Sequence, residues 1–144
     1  MKMQLSEGYA MCFGCGQDNP AGLHLRFHQE GQVAAAEFIP DERHQGWEGI
    51  MHGGVVSALL DEAIGYAAYY QELMVVTARM EVRFRRPIPI GRRLLVRGEI
   101  ISARRKLADA RATVSLADGS LGAEATALLY VVTEGQLPDP VPLG

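Results

Sequence analysis

Only one stretch of the chain repeats with a helical period; nearly everything around it repeats with the period of a strand. From His52 to about Glu72, the apolar residues Val56, Leu59, Leu60, Ala63 and Ala67 fall on one helical stripe with no proline among them. The period then drops to two. "VVTARMEVRFRRP" places Ala78, Met80, Val82 and Phe84 on one face and Thr77, Arg79, Glu81, Arg83 and Arg85 on the other, as in a half-buried strand. "RLLVRGEIISARRK", "LADARATVSL" and "SLGAEATALLYVV" supply three more strands, with Asp118-Gly119 as the last hairpin turn. Upstream, "LHLRFHQ" and "VAAAEFIP" flank Glu30-Gly31 as an early hairpin. Six strands and one long helix predict an α+β fold in which an antiparallel sheet packs its apolar face on a single helix. One helix covers six strands only if the sheet curls around it. Any apolar surface left over predicts a homo-oligomer.

The 144 residues suit one domain, 1–144, with the turn in 1–22 and the proline-rich tail in 134–144 expected at its periphery. No segment approaches the roughly 18 uninterrupted apolar residues of a membrane helix, and "MKMQLSEGYA" has no stretch of signal-peptide length. A cytoplasmic protein is expected, with no membrane partner. The net charge of −3 argues against a nucleic-acid partner, although the basic residues cluster. Cys12 and Cys15 form a C-x-x-C, and His24 and His28 complete a superficial zinc set. On a strand those histidines would stand roughly 13 Å apart, beyond a shared ion. The pair therefore reads as a reduced, partly buried turn, with no metal and no cofactor expected.

"MHGGVVSALLDEAI" sets two acids side by side within the helical stretch. Stepping about 100° per residue from Val56 turns Asp61 toward Gly54, Ser57, Gly65 and Ala68, a stripe of small residues that a slender acyl chain or a partner subunit can approach. Glu62 points away from that stripe, toward solvent or a structural ion pair. At the helix start, Gly53 and Gly54 leave backbone N–H groups uncovered, where the helix dipole also favours a developing negative oxygen. Gly53 and Asp61 are roughly 12 Å apart along one helix, whereas attack on a carbonyl requires about 3–3.5 Å. If both serve one reaction, they come from different subunits with antiparallel helices.

"CFGCGQDNPAGLHLRF", "HQGWEGIMHGGVVSALLDEA" and "EVRFRRPIPIG", with the strand order from about residue 10 to 133, resemble the hotdog-fold acyl-CoA thioesterases of the PaaI-like branch. The resemblance implies a curled antiparallel sheet around the helix, dimers joined edge to edge, and often a dimer of dimers. It implies that the Gly53 amide polarises the thioester carbonyl and that Asp61 of the partner subunit acts as nucleophile or general base. Thr77 would help orient water, and His52 would fix the loop. Gly54 is a further substrate-binding candidate. Gly46 stands where some members carry asparagine, making Gln45 a candidate replacement. Arg83, Arg85, Arg86, Arg104, Arg105 and Lys106 are candidate partners for the CoA phosphates. Two alternatives to hydrolysis stay open: a hotdog dehydratase or hydratase using His52, and a non-catalytic acyl-CoA binding or regulatory module.

Overall fold

The computed structural model describes residues 9–133; the expected tail in 134–144 and the first eight residues lie outside the described residues. Six strands, β1 (His28–Glu30), β2 (Val33–Phe38), β3 (Val75–Phe84), β4 (Leu94–Ala103), β5 (Leu107–Leu116) and β6 (Leu121–Val131), surround one helix, α1 (Gly53–Tyr70). They form one antiparallel sheet in the order β1-β2-β4-β5-β6-β3. The helix touches every strand from β2 at one side to β3 at the other. A flat sheet of five strands at about 4.8 Å spacing would be too wide for one helix to reach, so the sheet curls around α1. This is the expected α+β hotdog architecture.

The core is built from the helical stripe and alternate strand residues. Val56, Leu59, Leu60, Ala63, Ile64 and Ala67 of α1 are buried, as are Ala108, Ala110 and Ala112 of β5 and Ala123, Ala125 and Ala127 of β6. These alanines let the helix lie close to the sheet. At Gly98 in β4, a Cβ would sit 2.5 Å from the carbonyl oxygen of Ala63 and 3.0 Å from its Cβ. At its far end α1 stops where Glu72 turns left-handed, at φ 59°, and the Leu73 N–H donates back to the Ala68 carbonyl at 2.9 Å.

The first hairpin is shorter than its alternation implies. Leu23 and Leu25 are buried and His24 and Arg26 exposed, as in a strand. Their N–H groups, however, go to the N-terminal turn: Leu23 donates to the Phe13 carbonyl at 2.8 Å and Leu25 to Gly14 at 2.9 Å. Only His28–Glu30 pairs with β2. The expected burial of one face of β3 is also reduced. Phe84 is 55% exposed at the end of an edge strand with β6 on one side only, and Ala78 is exposed where the β3–β6 register shifts between Thr77 and Arg79.

The contact at Gly98 leads to a stability prediction. Gly98→Ala forces α1 away from β4 and is expected to cost ~1–3 kcal/mol in urea unfolding. An unchanged midpoint would show that the helix can move off β4 at no cost.

Candidate active site

Asp61 and Glu62, adjacent in α1, meet different chemistry. Asp61 is exposed, and its Oδ1 accepts a 2.7 Å hydrogen bond from Thr77 Oγ1. A bulge in β3 makes this possible. Thr77 pairs with Leu129 and Arg79 with Leu128, leaving Ala78 as the extra residue. Strict alternation puts Thr77 on the face of Arg79, Glu81 and Arg83. The bulge reverses that parity, so Thr77 faces the helix on the same side as Met80 and Val82, which pack against the core.

Gly54 and Gly65 are exposed and Ser57 half-buried, so the small-residue stripe beside Asp61 is open over most of its length. Ala68, expected on the same stripe, is fully buried because the chain folds back over it at Leu73. Contrary to expectation, Glu62 is neither fully exposed nor ion-paired with a described residue. It is half-buried beneath the N-terminal turn, with Cys12 Sγ at 3.7 Å from its Oε1, and a Cβ on Gly14 would overlap its carboxylate. Burial pushes the neighbouring Cys15 thiol up to about 12, which makes it a poor nucleophile. Among the described residues, Cys12, Cys15 and Glu62 are the group whose metal-ligating atoms all lie within 4.8 Å of one another. The two histidines near them in sequence are engaged elsewhere: His24 Nε2 with the Asn19 carbonyl at 2.6 Å, and His28 Nε2 with Glu30 at 2.9 Å.

At the start of α1, His52 is the N-cap, and its Nδ1 accepts the Gly54 N–H at 2.8 Å. That uses the Gly54 amide. The Gly53 N–H has no acceptor among the described residues. The Phe84 ring lies 3.4 Å from where a Gly53 Cβ would stand. Gly46, Trp47, Met51, His52 and Gly53 line a shallow cavity of about 420 Å³, over which Trp47 is 87% exposed. The loop entering the helix is held by the Met51 N–H on the Ile88 carbonyl and the His52 N–H on the His44 carbonyl, each at 2.8 Å. Gln45 Oε1 accepts the Gly49 N–H at 3.1 Å, so its carbonyl oxygen braces this loop. Asp41 caps the short 3-10 turn Glu42–His44, and the Arg43 guanidinium holds its carboxyl well below the usual carboxylate range.

The candidate phosphate partners separate into two groups. Arg83 pairs with Glu81 at 3.2 Å and Arg85 with Glu124 at 2.8 Å, whereas Arg104 stands 3.9 Å from Asp109. Arg86, Arg105 and Lys106 make no salt bridge to a described residue. Arg85 and Arg86 follow Phe84, at the Gly53 end of β3. Arg104–Lys106 form the β4–β5 turn beside Tyr130, which pairs with Val76 at the Thr77 end. A larger depression of about 570 Å³ lies on the outward face of the sheet, among Arg83, Arg97, Glu99, Arg111 and Glu124. Glu99 and Glu124 there are paired with Arg111 and Arg85, and neither Gly53 nor Asp61 lines it.

Residues 48–123, more than half of the chain, match the family model of the thioesterase superfamily. No curated protein matches the chain. Among solved structures it is similar to protein RHA08564, a thioesterase superfamily protein, at 24% identity and TM-score 0.76, over 81% of this chain and 60% of that one. The chain thus spans less than two thirds of RHA08564. The PaaI protein of the E. coli phenylacetic acid degradation operon is 17% identical, at TM-score 0.72 over 77% of this chain and 81% of that one. A hypothetical thioesterase of Streptococcus pneumoniae TIGR4 solved with coenzyme A is 16% identical, at TM-score 0.71 over 75% and 88%. The same protein has been solved with an aspartate or a threonine replaced by alanine, the two spaced as Asp61 and Thr77 are here.

The cap at His52 gives a direct prediction. Alanine at His52 leaves the Gly54 N–H without its acceptor and is expected to cost ~1 kcal/mol in thermal unfolding, while asparagine retains most of the cap. Equal losses in the two variants would remove the capping role.

Proposed function

Because the chain belongs to the thioesterase superfamily, we propose that it hydrolyses an acyl-CoA thioester to the free acid and CoA. The observation that carries this reading is the exposed Asp61 carboxylate held by Thr77. A thioester is an activated acyl group, so one carboxylate and one oxyanion donor suffice. Asp61 either attacks the carbonyl carbon, breaking the C–S bond to release CoA thiolate and leave an anhydride that water then opens, or takes a proton from a water whose attack expels the CoA thiolate directly. Either way, the thiolate is protonated to free CoA. Thr77 fixes the orientation of the carboxylate in both cases. The Gly53 N–H, at the positive end of the helix and without an acceptor among the described residues, is the donor to the oxygen that becomes negative. The CoA-bound relative supports the substrate class, and its aspartate and threonine variants match the spacing of Asp61 and Thr77.

The two groups lie roughly 12 Å apart on α1, so the reading requires a second subunit. β3 supplies a route. It is a ten-residue edge strand, with one side unpaired among the described residues. Pairing two β3 strands antiparallel about a two-fold axis sets the Phe84 end of one, against Gly53, beside the Thr77 end of the other. It also brings Arg85 and Arg86 of one subunit toward Arg104–Lys106 of its partner, around one CoA. His52 caps the helix through Nδ1, which accepts the Gly54 N–H and so is not available as a base.

Gly53→Pro tests the donor cleanly. Proline is tolerated at the first helical position, and His52 already has the extended backbone that a following proline requires, with φ −64° and ψ 132°. Loss of this N–H is expected to lower kcat for acyl-CoA hydrolysis by about 10²–10³-fold. Asp61→Asn is expected to lower it at least ~10-fold. Mixed dimers of the two variants should regain part of the activity. Full activity in Asp61→Asn, or none in verified mixed dimers, would refute the shared site.

A further inference from the structure

Glu62 is a half-buried carboxylate that makes no salt bridge to a described residue. Removing a carboxylate from water is costly unless a positive charge or strong donors replace the solvent. Its neighbours instead are two thiols, which are weak donors. We propose that Cys12, Cys15 and Glu62 form a site for a thiophilic divalent cation, best matched by zinc, which clamps the N-terminal turn onto α1.

The spacing suits that ion. Zinc at about 2.3 Å from sulfur and about 2.0–2.2 Å from a carboxylate oxygen, in tetrahedral geometry, sets sulfur and oxygen about 3.5–3.7 Å apart. Cys12 Sγ and Glu62 Oε1 stand 3.7 Å apart, across fifty positions of sequence. The C-x-x-C turn brings the two thiols to one side, closed by the Gly16 N–H on the Cys12 carbonyl at 2.8 Å. Two glycines shape the cradle: a Cβ on Gly14 would overlap the Glu62 carboxylate, and one on Gly16 would overlap the backbone of Ala10 and Cys12. The turn is anchored independently of any ion by Leu23 and Leu25, and by Asn19 Nδ2, which donates to the Met11 carbonyl at 3.2 Å. The ligands are thus held in place before the metal arrives.

Two thiolates and a carboxylate are a soft, anionic set that selects zinc over magnesium or calcium. Binding releases the two thiol protons to solvent and involves no oxidation. Water fills the fourth position, or the Tyr66 hydroxyl, which lies against the Cys15 thiol one turn along α1 from Glu62. Disulfide formation between Cys12 and Cys15 would be a poorer outcome for the fold, because it removes the thiol donor facing Glu62 and supplies no charge. The site is independent of the thioesterase reading, since Asp61, Thr77 and Gly53 take no part in it.

The test uses the full chain, reduced with a phosphine, stripped by a chelator and titrated with Co²⁺ alone. One Co²⁺ per chain is expected, with thiolate-to-cobalt charge-transfer absorption in the near ultraviolet, a tetrahedral visible band, and displacement by Zn²⁺. Glu62→Gln should weaken Co²⁺ binding ~10-fold or more, and the double variant Cys12→Ser/Cys15→Ser should abolish it. Zn²⁺ should raise the melting temperature of the stripped wild type but not of the double variant. Absence of the charge-transfer band in the reduced wild type overturns the site without any variant having to fold. A band that survives the double substitution, or affinity unchanged by Glu62→Gln, overturns this ligand set.

Discussion

The approach of α1 to β4 at Gly98 sets the geometry of everything else. A side chain there would occupy the space of the Ala63 backbone, and the alanines of β5 and β6 keep the neighbouring surface equally low. The helix therefore sits deep in the curl of the sheet, burying the stripe from Val56 to Ala67. Its remaining faces meet the N-terminal turn on one side and the edge strand β3 on the other. The distances at both candidate sites follow from how closely the helix is held.

On the β3 side, a single extra residue decides which side chain meets Asp61. Without the bulge at Ala78, Thr77 would turn outward with Arg79, Glu81 and Arg83, and Asp61 would lose its 2.7 Å partner. The same strand is the free edge of the sheet. An open strand edge of this kind is otherwise an aggregation liability, and it is the edge that the proposed pairing of two copies would cover. The Gly53 amide, which has no acceptor among the described residues, lies toward the Phe84 end of β3, and the Thr77–Asp61 pair lies toward the other end.

The adjacent acids show how finely one helix divides its roles. Asp61 opens onto the small-residue stripe, where Gly54 and Gly65 are exposed. Glu62, about 100° further round, lies under Cys12 and Cys15. His52 divides the helix start in a similar way, taking the Gly54 N–H for the cap and leaving that of Gly53 without an acceptor among the described residues.

The sequence by itself determined the element order, the α+β class and the core stripe of α1, because periods of 3.6 and 2 are local consequences of backbone geometry. It also distinguished Asp61 from Glu62 by helical angle and pointed to the glycines at the start of α1, but not to the His52 cap that takes the Gly54 N–H. Only the tertiary structure decided what those residues meet. The bulge that turns Thr77 to Asp61 arises from the pairing of β3 with β6, and alternation along one strand carries no record of a residue skipped by its neighbour. Likewise, the N–H groups of Leu23 and Leu25 go to the N-terminal turn, and Glu62 meets cysteines fifty residues away. Such contacts are fixed by which surfaces close over one another, a property of the packed chain that no local period encodes.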